Sequence, residues 1–60
     1  MYYTAIKIDK ITGVVVADKS FTSYADAERF INEVADAFGY EPAESCSYLY
    51  ERGNFALTIN

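Results

Sequence analysis

The residues best suited to chemistry in this sequence are carboxylates, since nine of its 60 residues are Asp or Glu and none is His. Glu33 and Asp36 stand three residues apart, which makes them neighbours on a helix, and Asp26 shares their side. Paired carboxylates can act as general acid and base, and their oxygens can bind hard cations. On an open helix face they remain solvated, and the Asp, Asn and Gly spacing of a calcium loop is missing. We therefore expect neither a catalytic pair nor a metal site here.

The other groups that catalysis requires are missing or isolated. The lack of His removes the commonest general base near neutral pH, and one Cys without His cannot form the usual zinc clusters. The three glycines are isolated, so a phosphate-binding loop is absent from the sequence. No His or Lys motif is placed to activate the serines, which are Ser20, Ser23, Ser45 and Ser47. The sequence predicts a protein without enzyme activity, cofactor or metal.

The single cysteine, Cys46, bears on cellular location. It cannot form an internal disulfide, whereas small secreted domains usually contain several. Charges at Lys7, Asp9 and Lys10 interrupt the region where a secretion signal would need an apolar run, and no segment has the ~20 apolar residues of a membrane span. We expect a cytoplasmic protein in which Cys46 is a small core residue or, alternatively, an exposed thiol that links two chains.

Charge is unevenly distributed along the chain. The net charge is −4, and residues 26–60 carry seven acids against two arginines. This balance argues against direct nucleic-acid binding, which needs a basic surface. It is compatible with a basic partner. Alternatively, the acidic residues form a solvated surface that only keeps the protein soluble.

Two strands are predicted at residues 2–9 and 14–21, which are rich in β-branched and aromatic residues. Between them, the Asp9 side chain can bond to the loop backbone and Gly13 can adopt a positive φ angle. With a loop over residues 10–13, the predicted core face contains Ile6, Ile8, Val15, Ala17 and Phe21. The opposite face contains Tyr3, Ala5, Lys7, Val16 and Asp18.

A helix is predicted over residues 24–38. Ser23 can cap its start and Gly39 can end it. Between these residues the apolar side chains recur at helical spacing and form one stripe, made of Ala27, Phe30, Ile31, Val34 and Phe38.

Two further strands are predicted after a connector that contains Pro42. Residues 45–51 alternate, and a two-residue turn at Gly53-Asn54 leads into residues 55–59. This turn would pair Tyr50 with Leu57 and Tyr48 with Ile59. The pattern predicts one α+β domain over residues 1–60, of the type ββαββ.

This layout resembles the immunoglobulin-binding domains of protein G and protein L. The matching segments are Phe21-Thr22-Ser23-Tyr24-Ala25-Asp26-Ala27-Glu28 and Arg52-Gly53-Asn54-Phe55-Ala56-Leu57-Thr58-Ile59. The resemblance implies a four-stranded mixed sheet of order 2-1-4-3, whose first and last strands are central and parallel, with the helix packed on one face. Immunoglobulin binding is the function that it implies, although a shared fold does not by itself transfer a function.

Two surfaces are candidates for binding a partner. In the sheet order that the resemblance implies, the second strand is an edge, which can accept another strand through its backbone. The outer helix face is acidic and could mimic a row of phosphates. Tyr3 and Tyr40 are expected to be the most exposed tyrosines, a residue type enriched at interfaces. The candidate residues are Val14, Val16, Asp18, Asp26, Glu33, Asp36, Tyr3 and Tyr40.

The expected function is therefore non-enzymatic binding of a protein partner, as an inhibitor or regulator inside the cell. In size and acidity the chain resembles phage-encoded inhibitors of bacterial defence or host enzymes. One alternative is a nucleic-acid mimic that blocks a basic DNA- or RNA-binding site. Another is a structural subunit or homodimer. Neither a membrane nor direct binding of nucleic acid is expected.

Overall fold

The computed structural model describes residues 1–44 and 47–60, which form one helix and five strands. In chain order these are β1 (Tyr3–Asp9), β2 (Val15–Phe21), α1 (Tyr24–Phe38), β3 (Glu41–Pro42), β4 (Tyr50–Arg52) and β5 (Phe55–Ile59). The strands make a single sheet, and α1 packs on one of its faces. The predicted α+β class is confirmed.

The sheet differs from the predicted one in strand number, order and direction. Its order is β2-β1-β5-β4-β3, and each neighbouring pair is antiparallel. The prediction of a four-stranded mixed sheet of order 2-1-4-3 was therefore wrong. The first and last strands do lie side by side, but they run antiparallel rather than parallel.

An additional strand explains this change of direction. Residues 41–42 were predicted to be part of a connector, yet they form β3, in which Glu41 pairs with Glu51 and Pro42 with Tyr50. Each antiparallel hairpin reverses the chain. Two reversals instead of one separate α1 from β5, so β5 enters the sheet in the direction opposite to the one that the resemblance implied.

The closing hairpin has the predicted register at its turn. Tyr50 pairs with Leu57 on either side of the turn at Gly53-Asn54. Because β4 begins only at Tyr50, the strand pairing predicted for Tyr48 was wrong. The predictions for Cys46 lie outside the described residues.

The hairpin of β1 and β2 contains a β-bulge that shifts its register by one residue. Ile8 pairs with Val15 as predicted, but beyond this pair Lys7 is opposite Ala17, and Val16 is the extra residue. The shift places Ala17 on the same face as Lys7. Ala17 was predicted to be core and is exposed at the sheet edge.

The buried face of β1 is the one opposite to the prediction. Ala5 is buried against the helix. Since side chains alternate along a strand, Ile6 and Ile8 project to the other face, where they are only half-buried. Val15 is exposed as well, and of the predicted core face Phe21 alone packs against the core cluster. The alternation of apolar residues predicted the wrong buried face because the large aliphatic residues of β1 lie on the open face, whereas the small Ala5 lets the helix approach closely.

Helix α1 has the predicted bounds, Tyr24–Phe38. Gly39 ends it in the left-handed conformation, with φ 73°, and its N–H donates to the carbonyl of Ala35. Ser23 occupies the N-cap position with an extended backbone, but its side chain makes no capping hydrogen bond to the described residues. The position of the cap was predicted correctly, whereas its hydrogen bond was not.

The core lies between α1 and the two central strands. Its buried cluster is Ala5, Ile31, Ala35 and Leu57, and Phe30 and Val34 pack against it from the helix. Phe38, predicted to belong to the same stripe, is 61% exposed because it is the last residue of the helix. No helix within the described residues has the length and apolar character needed to cross a membrane.

Candidate functional site

The two edges of the sheet differ in their capacity to bind another strand. At one edge, β3 has only two residues, the acidic Glu41 and Pro42, and the acidic Glu44 follows shortly after it. Short strands, prolines and charges are the usual protection of an edge against pairing. At the other edge, β2 has seven residues and contains no proline, and no strand of the described chain lies beyond it. β2 is therefore the less protected of the two edges.

The outward-facing backbone groups of β2 can be assigned from the hydrogen bonds of β1. Thr4 and Asn60 exchange both backbone hydrogen bonds, at 3.2 and 2.8 Å, so the backbone of Thr4 points towards β5. By alternation the backbone of Ala5 points towards β2, where Lys19 is its partner. The neighbours of Lys19, Asp18 and Ser20, then direct their N–H and C=O groups away from the sheet. These four groups are the pairing positions that the edge offers.

Apolar side chains extend the open edge at its N-terminal end. Val14, Val15 and Val16 are 55%, 44% and 50% exposed, and Ile11 in the preceding loop is 74% exposed. The loop is held by Asp9, whose Oδ1 accepts bonds from the N–H groups of Ile11 and Thr12 at 2.9 and 3.3 Å. An exposed aliphatic group of this kind on a small domain is a common feature of protein interfaces.

Two features of β2 oppose strand pairing. The bulge at Val16 interrupts the regular backbone, and Asp18 and Lys19 place charges on the exposed strand. The regular part from Ala17 to Phe21 still spans both outward-facing residues. The bulge and the charges therefore shorten the part of β2 that can pair with another strand, but they do not abolish it. This part lies next to the three exposed valines, Val14, Val15 and Val16, which we call the valine cluster.

The acidic helix residues are exposed but only partly adjacent to this edge. Asp26 is 3.4 Å from Arg29 in an exposed ion pair, which offsets part of its charge. Glu33, Asp26 and Arg29 border a shallow cleft beside Phe21, the last residue of β2. Asp36 is exposed further along the helix and does not border that cleft.

The expected exposure of Tyr3 and Tyr40 was wrong. Both are half-buried: Tyr3 packs edge-on against Tyr24, with ring centroids 5.7 Å apart, and Tyr40 packs against the core. Tyr2, at 70%, is far more exposed than either. Tyr3 and Tyr40 therefore contribute to packing within the domain more than to its exposed surface.

A recess at the C-terminal end of α1 was not predicted from the sequence. It is separate from the shallow cleft beside Phe21, and Lys7 and Arg52 are among its lining residues. The available signal was a lysine on the alternating strand β1, between Ala5 and Asp9. No group of three or more metal-ligating side chains occurs among residues 1–44 and 47–60.

No protein-family model, curated protein or solved structure matches this chain. The resemblance to the domains of protein G and protein L consequently remains a prediction, and the sheet order that it implied is not the one observed.

Proposed function

We propose that this chain is a small non-enzymatic protein-binding module, which recognises its partner by accepting a strand of that partner along the free edge of β2. The observation that carries the proposal is the contrast between the two sheet edges. β3 is short and contains Pro42, whereas β2 has seven residues and outward-facing backbone groups at Asp18 and Ser20. Without a reaction of its own, such a module acts in the cytoplasm as an inhibitor or regulator that covers part of its partner.

The energetics require side chains as well as backbone. Four backbone hydrogen bonds at ~0.5–1.5 kcal/mol each are of the same order as the ~4 kcal/mol at the lower end of the cost of association. Covering the half-exposed valines, Val14 to Val16, adds apolar burial at ~25 cal/mol per Å². Backbone pairing sets the geometry, and the valine cluster supplies the surplus affinity. Asp26 and Glu33, near the end of β2, would attract a basic partner and raise its rate of encounter.

The proposal can be tested by comparing matched variants as bait in the source cell. Ser20→Pro removes an outward-facing N–H, and Ser20→Ala is its control, because both variants lose the contact between the Ser20 and Thr4 hydroxyls at 3.2 Å. We expect the partner to be captured by the wild type and by Ser20→Ala but lost from folded Ser20→Pro. Retention of the same partner by folded Ser20→Pro would contradict strand addition.

A second pair of changes separates this proposal from the nucleic-acid mimic. Reversal of Glu33 and Asp36 to Lys should slow binding and leave the complex intact at high salt if β2 is the anchor. If the reversal abolishes capture while Ser20→Pro does not, the acidic helix face is the binding surface. An immunoglobulin column is a direct test of the function implied by the resemblance, and retention there would favour that alternative.

A further inference from the structure

A recess of about 460 Å³ lies between the C-terminal end of α1 and the turn that joins β4 to β5. Its volume falls in the range of roughly 300–1,000 Å³ that is typical of small-molecule sites. It contains no residue of β2, so it is separate from the edge proposed to bind a partner. The side chains that line it include two cations, three aromatic rings and one amide, which are Lys7, Arg52, Phe38, Tyr40, Phe55 and Asn54.

Neither cation of the recess forms an ion pair with an acidic side chain of the described residues. Lys7 is half-buried, its Nζ lies 4.6 Å from the centroid of the Phe55 ring, and it forms no ion pair within the described residues. Lys10, by contrast, pairs with Glu51 at 3.6 Å on the opposite face of the sheet. Arg52 donates from Nη1 to the carbonyl oxygen of Phe38 at 2.6 Å. This bond fixes the guanidinium at the rim and leaves its other N–H groups available.

The local charge is positive although the chain as a whole carries −4. None of the described residues that line the recess is acidic. The C-terminal end of α1 contributes a partial negative charge of about half a unit, which is smaller than the two full positive charges of Lys7 and Arg52. The net preference is therefore for an anion.

The aromatic side chains specify the remainder of the ligand. Phe38 is 61% exposed at the helix end, and Tyr40 and Phe55 provide partly buried ring surface on the other sides. Planar rings pack well against such walls, in stacked or edge-on geometry. A ring inserted here would also cover Phe38, which otherwise remains in water.

We propose that this recess binds a small aromatic molecule that carries one anionic group. The ring lies among Phe38, Tyr40 and Phe55, and the anion is held by Lys7 and Arg52, with the amide of Asn54 at the rim as a further polar group. The proposal is independent of the proposed function of β2.

The probes for a test are phenylacetate, its neutral analogue phenylacetamide, and acetate, titrated into the isotopically labelled protein and followed by amide NMR shifts. We expect phenylacetate to bind saturably, with a dissociation constant on the order of millimolar, and to shift the amides of residues 53–55. The neutral analogue should bind about tenfold more weakly because it lacks the charge-assisted bonds. Acetate should also bind about tenfold more weakly, because it lacks the ring.

Two lysine variants complete the design. Lys7→Met keeps an unbranched apolar chain without the charge and should weaken phenylacetate about tenfold, whereas Lys10→Met should leave its affinity unchanged. Equal binding of phenylacetate and phenylacetamide, an equal effect of both variants, or shifts that do not saturate would overturn the proposal. If Lys7→Met fails to fold, the comparison of the three probes on the wild-type protein still decides.

Discussion

At the scale of single residues, size decides which face of β1 is buried. Ala5 is 3% exposed beneath α1, next to Ile31 and Leu57, whereas the larger Ile6 projects to the open face of the sheet. Small side chains at the contact let the helix lie close to the strands, so that Ile31 fills the space between them. Hydrophobicity alone ranks Ile6 above Ala5 and selects the wrong face.

Substitution of Leu57 and of Ile6 should therefore have unequal costs. Leu57→Ala leaves a cavity in the core and should lower the free energy of unfolding by ~2–5 kcal/mol. Ile6→Ala should cost roughly 1 kcal/mol, since Ile6 is half-buried on the face without a helix. Urea denaturation measures both. A larger loss of stability for Ile6→Ala than for Leu57→Ala would indicate that the face of β1 predicted from the sequence is the buried one.

At the scale of secondary structure, the helix could be predicted to the residue and the sheet could not. The apolar stripe of α1, with Ser23 before it and Gly39 after it, is local information. The sheet depends on two non-local details. These are the bulge at Val16 and the pairing of Glu41–Pro42 with β4, and a two-residue strand containing proline has no recognisable sequence pattern.

Part of the candidate site could be predicted from the sequence. The sheet order that the resemblance implied placed the second strand at an edge, and β2 is an edge of the observed sheet although that order was otherwise wrong. The recess with Lys7 and Arg52 could not be predicted, because those residues are 45 positions apart in the sequence and meet only through the pairing of β1, β5 and β4. The burial of Tyr3 likewise depends on Tyr24, across the chain reversal at the start of α1.

The two ends of α1 should differ in their sensitivity to substitution. Gly39→Ala should lower stability by about 1 kcal/mol, because φ 73° is unfavourable for a residue with a Cβ atom. Ser23→Ala should cost less than ~0.5 kcal/mol, below the usual value for a cap, because its side chain makes no capping bond to the described residues. Thermal melts of the two variants give the comparison, and a larger loss for Ser23→Ala would contradict the cap geometry.

Proline substitution along β2 should alternate in its effect. Lys19→Pro removes an N–H that bonds to Ala5 and should cost ~3 kcal/mol or more, enough to unfold a domain whose total stability is ~5 kcal/mol. Ser20→Pro removes an N–H that faces solvent and should leave the protein folded. Circular dichroism and urea melts distinguish the variants. Unfolding by Ser20→Pro, with Ser20→Ala intact, would show that the outward-facing assignment is incorrect.

At the scale of the whole molecule, charge disfavours self-pairing along β2. A symmetric antiparallel dimer brings a residue opposite itself, and centring on Asp18 or Lys19 opposes like charges. Each copy also carries a net charge of −4. The free edge is therefore better suited to a different chain than to a second copy.

Sedimentation equilibrium should accordingly report a mass of 6.7 kDa at micromolar concentration. The mass should not increase with concentration, and Ser20→Pro should sediment as the wild type does. A mass that doubles with concentration in the wild type but not in Ser20→Pro would identify a second copy as the occupant of the edge, and would favour the homodimer alternative.

The most direct test of the proposed function is amide hydrogen exchange along β2 in the isolated protein at low concentration. A free edge predicts alternation: the amides of Asp18 and Ser20 exchange rapidly because they face water, and that of Lys19 exchanges slowly because it bonds to β1. Addition of the captured partner should then protect Asp18 and Ser20 selectively. Slow exchange at Asp18 and Ser20 in the isolated protein, equal to that at Lys19, would mean that the edge is already covered and would contradict its role as the binding surface.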